Sequence, residues 1–93
     1  MSRNFPPAFR LRVLTSREVL CDTEAREVTL PGLDGYLGIL PGHRPLVVAL
    51  GKGKIHYRSE KEEEEFSVQG GYAEVLPGEV TVFTEISQDE DKP

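Results

Sequence analysis

Apolar and polar residues alternate along most of this chain, and glycine and proline interrupt the alternation at short intervals. Phe9, Leu11 and Val13 are separated by Arg10 and Arg12, Val28 and Leu30 by Thr29, and Ile55 and Tyr57 by His56. Phe66 and Val68 flank Ser67, and Val80 and Val82 flank Thr81 before Phe83 breaks the pattern. A period of two sends successive side chains to opposite faces of a strand, so each segment reads as a strand with one buried and one wet face. The interruptions at Pro31-Gly32, Asp34-Gly35, Pro41-Gly42, Gly51 to Gly53, Gly70-Gly71 and Pro77-Gly78 carry turn chemistry. Short strands with frequent turns predict an all-β sandwich or barrel. No window carries a helical stripe of helical length.

At 93 residues the chain has room for one core. The domain is expected over 9–86, between an N-terminal tail at 1–8 and an acidic tail at 87–93, SQDEDKP, that lacks an apolar anchor and is expected to be disordered. The run EKEEEE, Glu60 to Glu65, lies between two strand patterns. Ser59 to Glu64 therefore reads as a hairpin tip kept in water by its own charge, with an acidic docking strip as the sharper alternative. The formal net charge of −5 opposes attraction to phosphate backbones or anionic lipid, so nucleic acid is not an expected partner. No apolar run approaches the length of a membrane span, and Met1 to Ala8 has too little apolar length for a secretory core, so neither membrane insertion nor export is expected.

Residues in patterns that carry chemistry are few. Cys21, the one cysteine, can form no internal disulfide and reads as a small strand residue. His43 and His56 lie on opposite sides of Leu46 to Leu50 without metal-ligand spacing, so no metal site is expected. Gly32, Gly35 and Gly38 resemble a phosphate loop only by composition: no helix follows to converge its N–H groups on an anion, and they read as turn residues. No Gly-x-Ser-x-Gly elbow exists, and Ser2, Ser16, Ser59, Ser67 and Ser87 have no histidine close in sequence. No catalytic residue, cofactor or small-molecule ligand is expected. The segment Leu46-Val47-Val48-Ala49-Leu50 lacks the alternate polar residues of a half-buried strand. Either both its faces pack inside the domain, or a second protein covers one.

Two blocks go further. VTLPGLDGYLGILPGHRPLVVAL (Val28 to Leu50) and FSVQGGYAEVLPGEVTVFTE (Phe66 to Glu85) resemble the N-terminal domain of the epsilon subunit of bacterial F-type ATP synthase, the delta subunit of mitochondria. The resemblance covers about Phe9 to Glu85. It implies a two-sheet β-sandwich of mainly antiparallel strands in a non-catalytic rotor-stalk subunit. Such a subunit binds gamma and the c-ring and lies peripherally on the cytoplasmic face of the energy-coupling membrane. The runner-up is a free-standing ligand-binding sandwich, told apart by whether the apolar strand closes a small-molecule pocket or meets a protein.

Residue by residue, the resemblance implies a c-ring contact at Asp34, Gly35, Tyr36 and Leu37, and a gamma contact at His43, Pro45, Leu46 and Val48. Within that strand Val47 is expected to face the core and Val48 the partner. Tyr36 stands where the family usually has an acid, and its hydroxyl remains able to hydrogen-bond. Arg44 replaces a small residue and Ser16 a proline. Family members typically continue into a C-terminal helical hairpin, which is not expected here: either the natural subunit is short, as in some lineages, or this is part of a longer chain.

Overall fold

The computed structural model describes residues 7–86, so the acidic tail expected at 87–93 and the first six residues of the N-terminal tail expected at 1–8 lie outside the described residues. Eight strands follow in order: β1 (Phe9–Leu14), β2 (Val19–Ala25), β3 (Glu27–Gly32), β4 (Gly35–Ile39), β5 (Leu46–Ala49), β6 (Lys52–Arg58), β7 (Glu63–Leu76) and β8 (Glu79–Ile86). Among the described residues there is no helix.

Two of the tight connections are closed by hydroxyl side chains. Thr15 Oγ1 accepts from the N–H of Arg17 and of Glu18, while Ser59 Oγ accepts from Lys61 and Glu62. In each case the first residue's own N–H donates across the turn, Thr15 to the Glu18 carbonyl and Ser59 to that of Glu62. A short hydroxyl that reaches its own backbone supplies the acceptor a tight turn lacks. The acidic tip is therefore shorter than expected. Glu63 and Glu64 belong to β7, opposite Arg58 and Tyr57. The charge does not break the strand because cations stand beside it: His56 Nε2 lies 2.8 Å from Glu63, and Lys54 Nζ lies 3.7 Å from Glu65. Such exposed pairs stabilise little, but they remove the like-charge cost of a strand edge.

The ladder order is β2-β1-β8-β7-β6-β3-β4, with β5 also on β7. Pairings are antiparallel except β1 with β8, which is parallel. The two layers of the sandwich are thus one continuous sheet, and β7 is the strand they share. Its first half pairs with β6; its second half lies between β5 and β8.

The Gly70-Gly71 pair, which reads as a turn in the sequence, is instead the corner inside β7. The register with β8 slips by one residue between Val68 and Gly71, and both glycines have positive φ, 75° and 106°. A bulge of this kind adds a residue to one strand and bends it. The neighbouring chain bends at the same level: the Leu50 N–H donates to the Gly71 carbonyl at 2.9 Å, and Gly70 N–H to that of Gly51 at 3.1 Å. A β-carbon at Gly71 would collide with the Phe83 carbonyl oxygen, so the corner admits no side chain there.

The folded-over sheet encloses one core. Phe9, Leu11, Val13, Val75, Val80 and Val82 come from one layer, and Val28, Leu30, Ile39, Ile55, Tyr57 and Val68 from the other. Cys21 is buried on β2, as a small strand residue should be. Burial pushes its thiol above the ordinary value, against the opposing effect of a hydrogen bond with the Tyr57 hydroxyl.

Candidate functional site

Between Gly32 and Gly35 the chain reverses through Leu33 and Asp34, and the positive φ falls on Gly35, at 130°. Leu33 at this tip is 68% exposed. Past β4, the turn at Leu40–His43 has Pro41 second, Gly42 third at φ 86°, and the His43 N–H donating to the Leu40 carbonyl at 3.2 Å. Proline followed by a positive-φ glycine is the type II arrangement. The Gly42 N–H donates to the Pro77 carbonyl at 2.9 Å, which ties this loop to the β7–β8 turn. His43 Nδ1 donates to the Arg44 carbonyl at 2.8 Å, which fixes the proton on Nδ1.

The chain then returns as β5 and meets the other end of the first hairpin. Leu33 N–H donates to the Ala49 carbonyl at 3.2 Å, Gly51 N–H to the Pro31 carbonyl at 2.8 Å, and Gly32 bridges Leu50. Between the β3–β4 hairpin and β5 lies an open cleft of about 430 Å³. Leu33, Asp34, Gly35, Tyr36 and Leu37 form one wall; Leu46, Val47, Val48 and Ala49 form the other. The two sets of residues that the resemblance separates, Asp34 to Leu37 and Leu46 with Val48, therefore face each other. His43 and Pro45 stand apart from this lining: His43 is half-buried in the turn, and Pro45 is exposed at the entry to β5.

Within β5 the parity is opposite to expectation. Val47 is 68% exposed, whereas Val48 packs against the core. The reason is register: Val48 pairs with Ala73 and Val47 with Glu74, and on β7 it is Ala73 that points inward. Leu33 and Leu40 add exposed apolar surface that the sequence reading missed. For Leu33 the signal was available, since an apolar residue between glycine and aspartate at a hairpin tip has no core to serve.

The cleft is apolar with one carboxylate, Asp34, on its wall. The groups whose ionisation the fold clearly shifts lie elsewhere: Arg10 with Asp22 on the outer face of β1 and β2, and Cys21 with Tyr57 in the core. Among the described residues, no cluster of three or more His, Cys, Asp or Glu side chains could hold a metal ion. No helix among them is long and apolar enough to cross a membrane. Chemically, the arrangement can bury a partner's apolar surface; it offers no converging acid and base.

The family model described as "ATP synthase, Delta/Epsilon chain, beta-sandwich domain" matches residues 8–88. The chain belongs to this family. The stretch matched to the Delta/Epsilon sandwich domain takes in all eight strands and both walls of the cleft. The ATP synthase epsilon chain of Synechococcus elongatus is 44% identical over 82 residues, covering 88% of this chain and 60% of the relative. That of Koribacter versatilis is 38% identical over 80 residues, covering 86% and 56%. This Delta/Epsilon domain thus spans somewhat over half the length of these relatives. In fold it is similar to a chain in a Euglena gracilis mitochondrial ATP synthase structure of OSCP, F1 and c-ring, with a TM-score of 0.81 at 23% identity over 97% of this chain and 62% of that one. A chain of the Tetrahymena thermophila mitochondrial ATP synthase central stalk and c-ring gives 0.70 at 12% identity over 83% and 63%.

Proposed function

We propose that this chain is a non-catalytic rotor-stalk subunit of an F-type ATP synthase. In this reading it couples ion translocation to ATP synthesis by joining gamma to the c-ring, peripherally on the cytoplasmic face of the energy-coupling membrane. Gamma covers β5 and the segment that leads into it, from His43 and Pro45 through Leu46 and Val48, with Val47 the most exposed side chain there. The c-ring meets the hairpin tip from Asp34 to Leu37. One observation carries the reading. Leu33, Tyr36, Leu46 and Val47 are exposed along a single cleft, and contiguous apolar surface of that kind marks a protein contact. Family membership supports an ATP synthase as the assembly in which such a contact belongs.

The test is reconstitution with a membrane-embedded ATP synthase, catalytic head included, stripped of its own epsilon chain. The chain should bind with a dissociation constant of about 1 µM or tighter and restore coupled ATP synthesis. Binding neither gamma alone nor the assembly would sink the reading. Saturable binding of MgATP or a sugar in the cleft by calorimetry would favour a ligand-binding sandwich instead.

A further inference from the structure

The hairpin tip is held by an interaction that regular strand pairing does not supply. Strands β3 and β6 pair from Glu27↔Arg58 to Thr29↔His56, and the pairing stops there. A continued ladder would bring Pro31 beside Lys54, but the Pro31 carbonyl accepts from Gly51 instead. On that side Lys54 N–H donates to the hydroxyl of Tyr36, at 3.0 Å. Tyr36 stands opposite Pro31 on β4, so its side chain reaches across β3 to β6. Gly53 makes the crossing possible: a β-carbon there would lie 2.5 Å from the Tyr36 hydroxyl and 2.8 Å from Pro31 Cβ. Tyr36 is 61% exposed, yet its one polar atom is directed back into the sheet.

We propose that Tyr36 is a positioning residue for docking. Its hydroxyl, held by the Lys54 amide, sets the angle at which the β3–β4 tip leaves the sandwich, and the partner meets Leu33 and Asp34 at the tip rather than the hydroxyl of Tyr36. This rests on the docking role proposed above. It reassigns Tyr36 from a contact to a support, and it explains why a glycine sits at position 53 of a strand whose neighbours Lys52 and Lys54 carry long side chains.

The experiment compares Tyr36→Phe and Leu33→Asp with the unaltered chain, using amide hydrogen exchange and affinity for the gamma and c-ring assembly lacking its own epsilon chain. In Tyr36→Phe the Lys54 amide should exchange at least about tenfold faster while core amides such as that of Val82 keep their protection. Its affinity should fall by roughly three- to tenfold, because the tip samples other angles. Leu33→Asp should lose at least about tenfold in affinity with Lys54 exchange unchanged. Unaltered affinity in Tyr36→Phe beside faster exchange overturns the positioning role. Weakened affinity with unchanged exchange also overturns it, since the hydroxyl would then touch the partner directly. If the unaltered chain does not bind, the docking reading itself fails, and this inference with it.

Discussion

Tyr72 on β7 and Phe83 on β8 stand directly opposite one another, with ring centroids 5.1 Å apart and planes tilted by 31°. They form the centre of an outward-facing apolar row that register carries across five strands: Ala49, Tyr72, Phe83, Leu14 and Val19. Toward the other end of the same face the residues become charged, with Arg12 2.6 Å from Glu79 and Arg10 3.0 Å from Asp22. Because both rings are only partly covered, Tyr72→Ala and Phe83→Ala should each destabilise the domain by about 1–2 kcal/mol, below the cost of a buried aromatic. A double-mutant cycle by urea denaturation should return a coupling of about 0.5–1 kcal/mol for the tilted pair. Strict additivity would mean that the rings merely share a neighbourhood.

The corner of β7 separates two causes of glycine preference. Gly70 has φ 75° and open space around its β-position, so Gly70→Ala should cost about 1 kcal/mol from backbone strain alone. Gly71 has φ 106° and the Phe83 carbonyl in the way, so Gly71→Ala should cost more than about 3 kcal/mol or prevent folding. Thermal melts of the two variants measure the difference, and equal losses would mean that the corner yields at position 71.

On β5, Val48→Asp places a carboxylate against the core and should destabilise by about 2–4 kcal/mol. Val47→Asp should leave the melting transition within about 0.5 kcal/mol of the unaltered chain but weaken gamma binding at least about tenfold. Denaturation of both variants beside gamma binding decides this; normal gamma binding by Val47→Asp would remove β5 from the interface.

The Asp22 carboxylate accepts two hydrogen bonds from Arg10, at 3.0 and 3.1 Å. That contact holds its pKa below the ordinary aspartate value. A lowered folded-state pKa means that the contribution is present above the unfolded value of about 3.9 and is lost as pH falls through the folded one. NMR titration should therefore find Asp22 ionised below the usual aspartate range, and Arg10→Ala should return it there. Both groups are solvated, so acid unfolding should move only slightly.

What the sequence made legible follows from the range of each cause. Alternation in Phe9 to Val13 reports which face of a strand is buried, and the burial agrees, whereas on β8 Thr81 is buried along with Val80 and Val82 on either side. Alternation does not report which strand lies alongside. Gly70-Gly71 therefore looked like an ordinary turn, although β7 continues through it, and Val47 and Val48 exchanged faces because their orientation is set by pairing with Glu74 and Ala73. Glu63 and Glu64 looked too charged for a strand until their cross-strand neighbours were known. In the cleft, Asp34 to Leu37 could be named from the two glycine-rich blocks, but their approach to β5 rests on backbone bonds between Leu33 and Ala49 and between Pro31 and Gly51, for which side-chain pattern gives no signal.

The parallel pairing of β1 with β8 joins Arg10 to Glu79 and Leu14 to Phe83. A ribosome emits these partners at nearly opposite times, so β1 must wait, unpaired on one edge, until almost the whole domain has been synthesised. Closing so large a loop is entropically costly and slow compared with forming local hairpins. The β3–β4 and β6–β7 hairpins can form on the emerging chain, but the core closes only when β8 arrives between β1 and β7. Until then the half-made sandwich exposes Leu11 and Val13, and a chaperone that shields β1 would raise the yield of folded chain more than one acting on any later strand.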